Sequence, residues 1–133
     1  MEYREFGTEQ VDAVADIYRE ENWMAYLREP ERLKQAFRHS LYVLGAFDKD
    51  RLIGFVRCVG DGEHVVLVQD LIVRRAYRKR GIGSTLFRAA WERYGKVRMF
   101  QVVTDLSDEA ANRFYRSFGM KKPEDEEMTV YFR

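Results

Sequence analysis

The sequence predicts an α/β fold in the broad sense that includes α+β: a mixed, mostly antiparallel central sheet with helices on its faces. Three observations carry this. Short apolar runs of strand length are interleaved with longer runs whose apolar residues recur every three or four positions. Turn signals at Asp48-Lys49-Asp50 and Gly60-Asp61-Gly62 separate three successive strand-like runs, as hairpins require. Glycines at 95 and 119 fall where helical patterns stop.

Taken in order, Glu2 to Phe6 reads as a first strand. Thr8 is placed to cap a helix running to about Glu21, with Val11, Val14, Ala15 and Tyr18 at helical spacing. Asn22 to Glu29 is a connection rich in aromatic residues, and Pro30 opens a second helix whose inner face is Leu33, Ala36 and Phe37. Leu41 to Phe47 and Arg51 to Val59 form a hairpin. His64 to Val73 is the most apolar stretch and is expected in the middle of the sheet, covered on both faces. Gly81 opens a helix to about Tyr94, with Ile82, Leu86, Ala90 and Tyr94 facing inward. Val97 to Thr104 is a strand. Ser107 caps a last helix with Ala111, Phe114, Tyr115 and Phe118 as its buried stripe. Met120 to Lys122 and Met128 to Phe132 are expected to close the fold as a strand pair. The order is β-α-α-β-β-β-α-β-α-β-β.

Composition bounds the function. The 133 residues, 46% hydrophobic and 34% charged, suit one folded domain over residues 1–133. No run approaches the roughly 20 apolar residues of a membrane helix, and no signal peptide is expected. One cysteine, Cys58, leaves no internal disulfide, and two histidines make a His/Cys metal site improbable, so no metal is expected. A reducing, cytoplasmic setting follows. Lys+Arg number 23 and Asp+Glu 22, too even a balance for a nucleic-acid coat. Two local extremes stand out: Arg74-Arg-Ala-Tyr-Arg-Lys-Arg80, with five cations in seven places, and the acidic Glu124-Asp-Glu-Glu127.

The basic run leads from an apolar strand into Gly81-Ile82-Gly83-Ser84. Two glycines let the backbone turn tightly and come close to a ligand. The N–H groups of Arg80 through Ser84 would point outward at a helix start, where an anion is favoured. Nearby cations add attraction, so a pyrophosphate is the natural guest. No Gly-Lys-Ser/Thr triplet makes this a P-loop, and no third glycine makes it a dinucleotide fingerprint.

These residues resemble the GNAT superfamily of acyl-CoA-dependent N-acyltransferases. Arg78-Lys79-Arg80-Gly81-Ile82-Gly83 fits its Arg/Gln-x-x-Gly-x-Gly/Ala pyrophosphate loop. Leu71-Ile72-Val73 sits where its central strand pairs with the pantetheine arm, and Ala111-Asn112-Arg113-Phe114-Tyr115 through Gly119-Met120 looks like its Asn-x-x-Phe-Tyr…Gly-Phe signature. The resemblance spans about residues 41–132. It implies acetyl-CoA as co-substrate, bound by Leu71, Ile72, Val73, Arg78, Lys79, Arg80, Gly81, Ile82, Gly83, Ser84 and Asn112. It implies Tyr115 as the acid that protonates the departing thiolate. Homodimers are a common habit of the superfamily, and the first forty residues help shape its acceptor pocket.

The residues add their own chemistry. An alkylamine near pKa ~10.4 must lose a proton before attack, at a cost of roughly 4–5 kcal/mol at neutral pH, so a proton acceptor is needed. Gln69 and Asp70 are the one polar pair in an apolar strand. Many superfamily members carry a glutamate near Gln69, and an amide cannot act as a base, so the candidates become Asp70 or water. Asp70 can equally serve by accepting backbone N–H bonds near a bulge. Strand alternation lets only one of the pair face a site unless the strand bulges. Trp23, Met24, Tyr26 and Leu27 either wall an acceptor pocket or pack the sheet. The acidic turn either draws in a cationic amine or simply solubilises a hairpin tip. Together these readings predict N-acetyl transfer to a primary amine, on a small molecule or a peptide, by direct attack in a ternary complex. The rival is an acyl-CoA sensor without efficient catalysis.

Overall fold

The structure is a computed structural model that describes all 133 residues. The chain divides into two compact units, Met1–Val102 and Val103–Arg133.

The first unit holds a five-stranded sheet in the order β1-β2-β3-β4-β5. The strands are β1 (Glu2–Glu5), β2 (Tyr42–Asp48), β3 (Arg51–Gly60), β4 (Val65–Val73) and β5 (Met99–Val102). The first four pair antiparallel; β5 joins β4 parallel, because helix α3 (Ile82–Arg93) carries the chain back between them. Helices α1 (Val11–Glu20) and α2 (Pro30–Arg38) cover one face. There Val14, Ile17, Tyr18, Leu33 and Phe37 pack on Val43, Phe47, Phe55 and Ile72. Another buried group comes from α3: Ile82, Leu86, Phe87 and Ala90, with Phe87 edge-on to Phe100 of β5 at 5.9 Å.

Three local expectations change. The Glu9 carboxylate takes the Gly7 N–H at 2.9 Å, so the chain first makes a 3-10 turn at Thr8–Gln10 and α1 starts at Val11; Thr8 caps nothing. The middle strand, with Leu52 to Cys58 wholly buried, is β3, not β4. In β4 alternate residues are buried, and Val65, Leu67, Gln69 and Leu71 are only half-buried.

The second unit contains helix α4 (Glu109–Ser117), capped by Asp108, whose carboxylate accepts the Ala111 N–H at 3.0 Å; Ser107 is not the cap. The expected strand pair after Gly119 is absent. Residues 120–122 and 127–133 are irregular, and Pro123–Glu126 form a 3-10 turn. The reason is local satisfaction. Met128 N–H bonds the Pro123 carbonyl at 2.8 Å, Thr129 Oγ1 donates to Glu124 at 3.0 Å, and Lys121 pairs with Glu126 at 2.9 Å. These bonds close the segment on itself.

Candidate active site

The ladder between β3 and β4 pairs Arg57 with Asp70 and Cys58 with Val68. Gln69 therefore has no opposite residue, and β4 bulges there. Residues directly opposite share a face of the sheet. Val68 thus shares Cys58's face, whereas Asp70 shares that of Arg57, with Ile72 and Phe55 two residues further on. The bulge turns Asp70 over to the α1–α2 side. Gln69 goes with it: its amide Nε2 donates to the Tyr26 hydroxyl at 3.4 Å, while Tyr18 of α1 donates to Asp70 at 2.7 Å. The two adjacent polar residues therefore reach the same side, which regular alternation forbids.

β5 pairs with β4 only from Val65↔Met99 to Val68↔Val102. From Gln69 to Val73 the strand keeps β3 on one edge and has no strand partner on the other. This bare edge is about 13 Å long, taking ~3.3 Å per residue, and it leads to the turn before α3.

That turn is built by its charges. Arg78 donates through Nε to the Val73 carbonyl at 2.8 Å and pairs with Glu21. Arg74 donates to the Leu52 carbonyl at 3.0 Å and reaches Glu20 at 3.7 Å. Arg75 offers its backbone N–H to Glu20 at 2.6 Å and its side chain to Glu21 at 3.7 Å. Three of the five cations thus hold the turn to the end of α1. Lys79 and Arg80 are exposed and make no ion pair; Arg80 lies over the Tyr77 ring at 5.2 Å. Lys79 and Gly81 adopt left-handed backbone, with φ of 63° and 81°. At Gly81 an added Cβ would meet nothing within 4 Å, so the glycine serves the φ angle and leaves space outside it. No side chain caps α3, and the N–H groups of Ile82, Gly83 and Ser84 in its first turn lack intrahelical acceptors. An anion fits there, with Lys79 and Arg80 beside it. Ile82 itself turns inward and is buried, so its contribution is its backbone.

Beside the bulge lies a buried ion pair. Arg57 Nε donates to Asp70 Oδ2 at 2.7 Å, and the two side chains are 7% and 1% exposed. Arg57 also reaches Ser40 Oγ at 3.2 Å, which in turn bonds the Ala36 carbonyl of α2. Burial works against the guanidinium's charge, but Asp70 outweighs it and holds Arg57 above its ordinary pKa. Burial, followed by the Asp70 charge and hydrogen bond, pushes the Tyr18 hydroxyl far up, so it stays a donor. Both donors end on Oδ2; Asp70 Oδ1 takes no protein hydrogen bond.

The aromatic connection divides. Trp23 and Leu27 pack against the α1–α2 core, while Met24 and Tyr26, in the 3-10 turn Met24–Leu27, are 50% and 44% exposed. Sequence reasoning named Tyr26 only as one of four residues that wall an acceptor pocket or pack the sheet, and it missed Tyr18 and Arg57 as site residues, because only the fold brings these three to the Gln69 bulge.

Within the second unit, Asn112 spends its amide on the carbonyls of Asp105 (3.0 Å) and Asp108 (2.7 Å), fixing the loop that enters α4. Tyr115 is half-buried, its ring 5.3 Å from that of Phe114. Burial and the charge of Asp108 push its hydroxyl up to about 12, so it is a neutral phenol at physiological pH. Phe114 and Phe118 are half-buried too, so the helix lacks the fully buried stripe expected of it. No group of three or more His, Cys, Asp or Glu side chains is placed to hold a metal ion.

Comparison with known proteins meets this geometry. Residues 11–120 match the acetyltransferase (GNAT) family. No protein of curated function matches the sequence significantly. Among solved structures, a GNAT-family acetyltransferase from Streptococcus pneumoniae is 31% identical, with a TM-score of 0.85 over 99% of this chain and 96% of that one. The PaiA N-acetyltransferase of Thermoplasma acidophilum, solved with coenzyme A, is 21% identical, with a TM-score of 0.76 over 91% and 89%. An aminoglycoside acetyltransferase from an uncultured soil sample, solved with sisomicin, is 20% identical, with a TM-score of 0.70 over 99% and 93%. The last two share the fold. The match over nearly the whole length, on a sheet whose bare edge runs into an uncapped helix start, shows that the chain belongs to the acetyltransferase (GNAT) family and is an acyl-CoA-dependent acetyltransferase.

Proposed function

We propose that the protein moves the acetyl group of acetyl-CoA to a primary amine by direct attack in a ternary complex, without an acyl-enzyme. The observation that carries this is the bare edge of β4 running from the Gln69 bulge to the Gly81 turn. A pyrophosphate seats on the N–H groups of Gly81 to Ser84, with Lys79 and Arg80 beside it and Arg78 bracing the turn. The pantetheine amides pair with the backbone of Leu71, Ile72 and Val73. The thioester then lies near Gln69, where backbone N–H groups of the splayed strand stabilise the oxyanion. The solved complex of PaiA with coenzyme A, on the same fold, supports this path.

Asp70 Oδ1, free of protein donors and next to Gln69, accepts the amine's proton through a water, and the Arg57 bond to Oδ2 holds the carboxylate in place. The neutral amine nitrogen attacks the thioester carbon, the tetrahedral adduct gives up its second N–H proton to water, and its collapse breaks the C–S bond. Tyr115, neutral at physiological pH, gives its proton to the leaving thiolate. Asn112 acts for the donor by holding the loop that enters α4. A reducing, cytoplasmic setting fits the single buried thiol, Cys58.

The test is calorimetric titration with acetyl-CoA, paired with detection of free thiol as primary amines are added. Gly81→Glu places a carboxylate against the pyrophosphate and abolishes binding. Gly81→Ala keeps binding and costs about 1–2 kcal/mol of stability, the left-handed penalty for a residue with a Cβ. Unchanged affinity in Gly81→Glu removes the loop from the site.

A further inference from the structure

Acceptor chemistry is written in what surrounds the bulge. Resting on the donor path above, we infer that the acceptor is a singly charged amine carried on an apolar or aromatic body, and that Tyr26 is the residue that selects it. An amine attacking a thioester near Gln69 must come within about 3.5 Å of the acyl carbon, which places its body against the side chains next to Gln69. That neighbour is Tyr26, whose hydroxyl accepts the Gln69 amide at 3.4 Å and whose ring is 44% exposed.

Tyr26 is held rigidly enough to form a wall. Its ring lies 5.3 Å from that of Tyr18 and 6.4 Å from that of Trp23, and Tyr18 is tied to Asp70. Exposed Met24 extends the apolar surface along the same turn. Such a surface takes a flat or aliphatic body and, through an aromatic face, one ammonium. The Gln69 carbonyl oxygen, unused by the Tyr26 bond, can accept from that ammonium.

What the surroundings lack decides the charge. A polycation requires several free carboxylates, and the acids from Asp16 to Glu31 are all engaged. Asp16 holds Arg19, Glu20 holds Arg74, Glu21 holds Arg78, Glu29 holds Arg32 and Glu31 holds Lys34. Asp70 is committed to Arg57. From Asp16 to Glu31 no carboxylate is left unpaired, so this stretch offers a second cation no partner.

The experiment measures kcat and KM for a panel comprising phenethylamine, hexylamine, spermidine and sisomicin, with acetyl-CoA saturating. It is run on the wild type, Tyr26→Phe and Tyr26→Ala, and acetyl-CoA binding is titrated separately for each. Phenethylamine and hexylamine are expected to exceed spermidine and sisomicin at least tenfold in kcat/KM. Tyr26→Ala is expected to raise the monoamine KM at least tenfold while acetyl-CoA affinity holds, and Tyr26→Phe to recover most of it through the ring alone. A polycation used as well as the monoamines, no turnover of either monoamine, or an unchanged monoamine KM in Tyr26→Ala overturns the inference. Loss of acetyl-CoA binding in the wild type instead overturns the donor path on which it rests.

Discussion

Removing Arg57 separates what Asp70 does for the fold from the proton-accepting role proposed for it. Arg57→Met keeps the length and apolar stem but strands the Asp70 carboxylate, 1% exposed, with one donor left in Tyr18. Breaking a buried pair by deleting one partner costs about 3–5 kcal/mol, because the remaining charge is neither solvated nor matched. At roughly 4 °C per kcal/mol for a chain of this length, the melting temperature drops by about 12–20 °C. Replacing the whole group behaves differently. In Arg57→Met/Asp70→Leu/Tyr18→Phe no charge or hydroxyl of the pair remains buried, and Ser40 keeps its bond to the Ala36 carbonyl. Hydrophobic replacement of a buried ion pair is neutral or stabilising by about 1–4 kcal/mol, so most of the loss is recovered. Urea unfolding, with an unchanged m-value as the check on cooperativity, measures both. The triple variant, folded but without the carboxylate, is then assayed for thiol release and should turn over at least tenfold more slowly. A loss below about 1 kcal/mol in Arg57→Met would show that the stranded carboxylate is accommodated without Arg57 and would refute the reasoning.

Two further outcomes follow from single groups. Tyr115→Phe is expected to lower kcat by about 10²-fold or more, the range of a general acid, with little change in stability; a variant at the wild-type rate excludes it. Because the phenol sits at about 12, the acid form is lost only as pH rises through that value, so kcat should show no alkaline fall from this group below pH ~10. Cys58 is fully buried, and burial pushes its thiol up to about 12. At pH 8 its thiolate is therefore about a thousandfold scarcer than that of an ordinary thiol near 9, so iodoacetamide should label it in urea and leave it untouched in the folded chain. Native labelling at the urea rate would contradict the burial.

The parts of this molecule that were readable as sequence are those set by local backbone demands. Gly81 needs left-handed φ before a helix, and that need is visible as a glycine between a basic run and an apolar helical pattern. Pro30 at the start of α2 is legible for the same reason. What was not legible depends on register or on a partner. Alternation cannot predict that Gln69 and Asp70 share a face, because the bulge comes from how β3 pairs with β4. The apolar run of β4 suggested the sheet's centre, yet β3, containing Arg57, is central; its charge is tolerated there because Asp70 lies opposite. Met128 to Phe132 has strand-like residues, but nearby donors and acceptors close the acidic turn on itself instead.

The charge balance acquires a physical meaning from this pairing. The basic run reads as a phosphate attractor, yet Arg74, Arg75 and Arg78 are consumed in fastening the turn to Glu20 and Glu21, the last residues of α1 and its C-cap. The same acids are thereby removed from the acceptor side. One set of ion pairs thus does two things: it leaves only Lys79 and Arg80 free to meet an anion at the helix start, and it strips the α1–α2 connection of spare negative charge. A donor carrying phosphates and the proposed acceptor carrying a single cation are the complements of that arrangement. Substitution of Glu20 and Glu21 should therefore disturb both ends of the site together, although neither residue is placed against either substrate.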